Sequence, residues 1–163
     1  MKTTKKIALI GILTALYVVL GFTIKIPLIS HIQTDLGYVA FGVACFAVGP
    51  LAFIAGVLGC LFESLLISGW VPVGWMAGQI LIGLICGVSY KKIKNTWINV
   101  GLTILAVFLG IGVAKTIIEC NLYSIPFAIK FPKNLIAFVA DTVPMVAGYL
   151  LATKTSLKKY INS

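Results

Sequence analysis

Long apolar runs, broken by short polar or Pro/Gly punctuation, occupy most of this chain. Cutting at the punctuation predicts helices near residues 6–24, 36–49, 51–69, 74–90, 96–118 and 134–153, a total of six. A bilayer core needs ~20 residues of helix. The second run falls short of that and meets Gly49-Pro50, so runs two and three read as a tight hairpin with one arm tilted or shortened. Four spans with a re-entrant segment is the other arrangement open to this pattern. The runs are continuously apolar instead of alternating over ~10-residue segments, which argues against a β-barrel. The fold expected is an all-α integral membrane protein: one transmembrane domain over residues 1–163, built as a compact bundle of six helices.

Composition sharpens this picture. The chain is 60% hydrophobic and 10% charged, with a mean hydropathy of +1.09, whereas soluble domains carry about 25% charged residues. All 13 basic residues are lysine. Nine of them form three groups: Lys2, Lys5 and Lys6; Lys91, Lys92 and Lys94; Lys154, Lys158 and Lys159. With an even number of spans the groups share one side, which the positive-inside rule makes cytoplasmic, together with both termini. The protein is therefore expected in the cell membrane, multi-pass, with outer loops at residues 25–35, around residue 70, and up to Asn134. The formal charge of +9 is accounted for by topology and by attraction to anionic inner-leaflet lipid, so nucleic acid is not an expected partner. The basic start and apolar first run resemble a signal peptide, but "IKIPLISH" follows without a small-residue cleavage site, and the run reads as a retained helix.

Enzyme chemistry finds little support. Cys45, Cys60, Cys86 and Cys120 lack the CxxC spacing of a metal site. "GIGVAKT" resembles a phosphate-binding loop only superficially, because that loop needs Gly immediately before the Lys, where Ala114 stands. His31 has no Ser or Cys partner at a telling spacing. The carboxylates Asp35, Glu63, Glu119 and Asp141 show no spacing that suggests a paired-carboxylate centre. No enzymatic activity, cofactor or metal is expected.

Small residues recur at helical spacing: Gly11-xxx-Ala15, Ala52-xxx-Gly56, Ala55-xxx-Gly59, Gly83-xxx-Gly87 and Ala106-xxx-Gly110-xxx-Ala114. Such strips let helices approach closely. Most should be seams within the bundle, with one facing a partner.

The lysine-flanked "KKIALIGILTALYVVLGF", then "DLGYVAFGVACFAVGPLAFIAGVLGCLFESLL" with its "GP" turn, and "GWVPVGWMAGQILIGLICGVSYKK" together resemble the substrate-binding S components of energy-coupling factor (ECF) vitamin transporters. The resemblance spans nearly the whole chain. It implies a six-helix subunit that captures a vitamin or related small micronutrient at its outer face and delivers it to a transmembrane T component and two cytoplasmic ATPases. The family's first-helix motif usually has two alanines four apart. Here Gly11 and Ala15 stand in those places and keep the small-residue surface for docking.

The residues proposed to bind substrate are Lys115, Glu119, Asn121, Asn134 and Asp141, with Trp75 and Gln79 from the fourth run. Lys115 and Glu119 lie ~6 Å apart along their helix, and Asp141 follows Asn134 by seven residues, ~10 Å deeper on the same face. A carboxylate at a helix centre costs about 2.5–3.5 kcal/mol against lipid, so Asp141 should face inward and find a partner, Lys115 being nearest by depth. Pairing of Lys115 with Asp141 or with Glu119 is also compatible with a purely packing role. Trp70, Trp75 and Gln79 offer flat apolar surface with a few polar groups, although an interfacial aromatic belt uses the same residues. Lys25, His31, Gln33 and Asp35 are candidate gating residues in the first outer loop. Glu63 has no evident partner in the sequence. A proton-coupled secondary carrier titrating on Glu63, Glu119 or Asp141, or a non-transport scaffold subunit, are the competing readings.

Overall fold

The protein is described from a computed structural model, which covers the backbone of residues 3–29 and 32–154 and their side chains except those of 25–29, 32 and 33. Helix α1 (Thr3–Thr23) leads into an antiparallel hairpin, β1 (Lys25–Ile29) and β2 (Ile32–Asp35). The helices α2 (Gly37–Val48), α3 (Ala52–Ser68) and α4 (Val73–Lys92) follow. Next comes one continuous helix made of α5 (Thr96–Val107), a π-helical segment Phe108–Lys115 and α6 (Thr116–Tyr123), and α7 (Phe127–Lys154) closes the chain.

Five helical stretches are long and apolar enough to cross a membrane among the described residues: Thr3–Thr23, Gly37–Ser68, Val73–Lys92, Thr96–Tyr123 and Phe127–Lys154. The second of these contains α2 and α3, joined through the short 3₁₀ turn Gly49–Leu51. The chain reverses there: Asp35, just before α2, and Glu63, late in α3, both lie against Gly21. Gly49 makes the reversal possible with φ 70°, a conformation that a Cβ disfavours. Lys91 extends over this turn and donates to the Val48 carbonyl at 3.4 Å. At 12 residues, α2 is only ~18 Å long.

Three sequence expectations need correction. The segment read as the first outer loop is a β-hairpin, in which Lys25 pairs with Asp35 and Ile26 with Thr34. The long loop expected before Asn134 is helix from Phe127 onward, and Pro132 lies inside it. A membrane helix tolerates the lost backbone bond where neighbouring groups satisfy the freed carbonyl. The fifth run extends to Tyr123 and contains a π-helical segment, which hydrophobic spacing does not reveal, since one wider turn changes no residue type.

Small residues set the closest crossings. A methyl at Gly42 would fall 2.5 Å from the Met145 carbonyl oxygen, and one at Gly148 would collide with the Val39 carbonyl, so α2 and α7 meet backbone to backbone. Gly83 faces Phe53, Gly87 faces Gly49, Gly110 faces Gly78 and Ile82, and Gly59 faces Tyr17. Those strips are internal seams. Gly11, with open space around it, and the exposed Ala15 are the exception.

The helix directions bring the described lysines Lys5, Lys6, Lys91, Lys92, Lys94 and Lys154 to one end of the bundle. Asp35, Glu63, Trp75, Glu119 and Asn134 lie at the other.

Candidate substrate-binding site

At the end opposite those lysines, α1, β2, α3, α4 and α7 frame a half-open cavity of about 260 Å³. Tyr17, Asp35, Cys60, Glu63, Trp70, Trp75 and Asp141 line it, with Ser64, Ile67, Ser68 and Pro72. Three of the chain's four carboxylates thus meet, although 106 residues separate Asp35 from Asp141. No sequence spacing could have shown this, because the Gly49 reversal brings Glu63 to Asp35 and the hairpin carries Asp35 onto α7.

Asp35 is the junction of the site. Its backbone N–H donates to Asp141 at 3.2 Å, its carboxylate accepts from the Gly37 N–H at 2.7 Å, and the Tyr17 hydroxyl donates to it at 3.1 Å. Burial, and then the nearby Glu63 charge, push the Asp35 carboxyl up to about 7. Gln79 fixes the tyrosine behind it: the amide donates to the hydroxyls of Tyr17 at 3.2 Å and Tyr38 at 2.8 Å. Gly21 and Gly59 make room for the arrangement. A methyl at Gly21 would lie 2.7 Å from both Asp35 Oδ1 and Glu63 Cδ, and one at Gly59 would lie 2.6 Å from the Tyr17 ring. Because a ring on a helix backbone yields less than the tip of a carboxylate, Gly59→Ala is expected to displace Tyr17 and weaken ligand binding more than Gly21→Ala. Parallel titrations of the two purified variants check that order.

A second buried set adjoins the cavity. Lys115 lies over the Trp75 ring, 3.9 Å from its centroid, donates to Asn134 Oδ1 and pairs with Glu119 at 3.6 Å. Asn134 Nδ2 donates to Thr116 at 2.9 Å and to Glu119 at 3.3 Å. Lys130 approaches Glu119 at 3.2 Å. The π-helical segment ends on Lys115 and offsets it from the register of a regular helix. Removing one partner of a buried pair costs about 3–5 kcal/mol. Lys115→Met should cost about 3 kcal/mol, at the low end, because Lys130 remains on Glu119, and adding Glu119→Gln should recover part of the loss. Unfolding midpoints of the single and double variants in detergent test this.

The candidates divide accordingly. Trp75, Asp35 and Asp141 line the cavity, while Lys115, Glu119 and Asn134 form the set behind Trp75 and Gln79 is buried against the tyrosines. Asn121 is exposed and donates to its own helix at the Ile117 carbonyl, away from both sets. The expectation that Asp141 pairs with Lys115 is corrected: Asp141 accepts from the Asp35 backbone, and Lys115 holds Glu119 and Asn134. Glu63, without an evident partner in sequence, stands beside Asp35 in the cavity wall. Of the gating candidates, Asp35 belongs to the wall; Lys25 and Gln33 are described in backbone only, and His31 lies outside the described residues. Among the described residues there is no cluster of His, Cys, Asp or Glu suited to a metal ion.

A family model described as ECF-type riboflavin transporter, S component, matches residues 1–160. Among solved structures, FolT bound with folic acid superposes with a TM-score of 0.72 at 26% identity, covering 96% of each chain. The S-component for biotin from an ECF-type ABC transporter gives 0.65 at 16% identity, over 98% of this chain and 95% of that one, a likeness of fold. A UPF0397 protein from Lactococcus lactis subsp. cremoris is 27% identical over 161 residues, 91% of this chain and 88% of its own length. Another from Streptococcus thermophilus is 22% identical over 149 residues, 85% and 82% of the two chains.

Proposed function

The chain belongs to the family of ECF-type riboflavin transporter S components, a family of membrane transport subunits and not of enzymes, and we propose that it captures a vitamin-like micronutrient and delivers it to a T component and two ATPases. The observation that carries this reading is the half-open cavity between Trp70, Trp75, Tyr17 and the carboxylates, at the end of the bundle away from the lysines. Aromatic faces with a few convergent polar groups suit a small organic ligand. In this reading the cavity opens outward, both termini are cytoplasmic, and α2 and α3 count as separate spans, giving six. The hairpin β1–β2 closes over the ligand, anchored to α7 through Asp35 and Asp141.

Docking falls to Gly11 and Ala15. The other small-residue strips are used inside the bundle, whereas this one is exposed beside Ile7 and Ile12, leaving a shallow surface for another helix. The purified protein should bind its ligand without ATP or an ion gradient, and cellular uptake should require the T component and ATPases. Uptake by the protein alone, dependent on a proton gradient, would instead support a secondary carrier. Orientation has its own test: in sealed cells an impermeant thiol reagent should reach a cysteine placed at the exposed Ser124 and not one at Asn95. Labelling of Asn95 from outside would invert the proposed topology.

A further inference from the structure

We infer that Lys115 is a positioning residue for the captured ligand: it does not touch the ligand, and acts by holding the Trp75 ring as a flat wall against which the ligand packs. The inference rests on the capture reading above and concerns how the site is kept in shape. Trp75 lines the cavity and Lys115 does not. Lys115 is only 4% exposed, and its ammonium lies 3.9 Å from the centroid of the indole, over one of the two faces. The protein's own cation thus occupies that face. The cavity meets what the cation leaves uncovered.

A buried ammonium is unfavourable unless it is paired and hydrogen-bonded. Lys115 meets that condition: it pairs with Glu119 at 3.6 Å, donates to Asn134 Oδ1, and also feels the charge of Asp141 in the cavity wall. These contacts would hold helices together equally well with the ammonium beside the ring. Its place over the face follows from the helix register, because the π-helical segment Phe108–Lys115 ends on this residue and its wider turn offsets it from a regular helix. The same set reaches α4 just before the ring, where a methyl at Gly74 would fall 2.8 Å from Glu119 Cγ. The ring and the adjoining backbone are therefore held by one cluster. The attraction between a desolvated ammonium and an indole face is directional, so it fixes the tilt of the ring, which shape-filling contacts alone leave freer to rock.

The test uses the full chain in lipid nanodiscs, titrated with riboflavin, folic acid and biotin; the tightest binder is carried through the variants, and a co-purifying compound replaces it if none of the three binds. Lys115→Met should weaken binding about tenfold, the scale of a desolvated cation–π contact. Adding Glu119→Gln should return part of the stability, read from thermal melts, and none of the affinity. Trp75→Leu alone should weaken binding at least as much as Lys115→Met does. In that background Lys115→Met should change affinity by less than about twofold, because the ring through which it acts is gone. A further arm needs no ligand. With Trp70→Phe and Trp97→Phe removing the other two of the chain's three tryptophans, Lys115→Met should shift the Trp75 emission maximum and open the ring to acrylamide quenching.

Affinity that recovers together with stability in the double variant would leave Lys115 a packing role. An undiminished loss in the Trp75→Leu background would mean that Lys115 acts on the ligand directly or through Asp141. Either result overturns the inference, as does Trp75 emission that ignores Lys115. If no probe binds and nothing co-purifies, the capture reading fails by itself, and the emission arm still decides whether Lys115 holds the ring.

Discussion

Replacing Gly11 and Ala15 together by tryptophan should abolish ATP-driven uptake in cells while leaving ligand affinity of the purified protein within about twofold. The strip faces away from the bundle, Gly11 has no neighbour within 4 Å, and the cavity is reached from the buried face of α1, by Tyr17. Bulk there has nothing internal to displace, so it acts only on what packs against the strip from outside. Close van der Waals contact is a principal force between helices in lipid, and two indoles prevent that approach. Recovery of the T component and ATPases in a pull-down should fall with uptake. Impaired binding by the purified variant would mean that the strip packs internally, and full recovery of the complex would assign docking to another face.

The largest effect on stability is expected at the crossing of α2 and α7. Gly42 meets the Met145 carbonyl at 2.5 Å from where a methyl would sit, and Gly148 meets the Val39 carbonyl more closely still. Those neighbours are backbone, so neither can swing aside as a side chain would. Overpacking costs typically about 1–3 kcal/mol, and Gly148→Ala should reach the upper end. Moving α7 also moves Asp141 away from the Asp35 N–H, so the cavity should be lost with the crossing. Gly101→Ala, at a glycine with open space around it, serves as the control and should be neutral. Thermal unfolding of the two variants in the same detergent measures the difference.

Hydrophobic runs and lysine positions made most of the helices legible, because the bilayer requires long apolar segments and the lysines mark their ends. The Gly49-Pro50 reversal was legible too, since this pair interrupts an apolar run where nothing else does. The hairpin was not: "KIPLI" and "IQTD" are short, and one contains proline, so they read as loop. Asn134 stands beside Lys115 and Glu119, a neighbourhood that helical spacing and depth suffice to place. The meeting of Asp35, Glu63 and Asp141 depends on contacts between distant segments, to which spacing within one helix is blind. Asn121, two residues past Glu119, falls on another face of the helix, which depth alone does not distinguish.

If the cavity between Trp70, Trp75 and the three carboxylates holds the transported small molecule, that molecule should travel with the purified protein. Native mass spectrometry of the protein purified from a rich medium detects it, run beside Ser64→Phe, which puts a ring into the cavity from its half-buried wall. One small molecule should be bound per chain in the parent protein and none in the variant, with both folded. Equal occupancy of the two, or a parent protein that captures nothing, would contradict it.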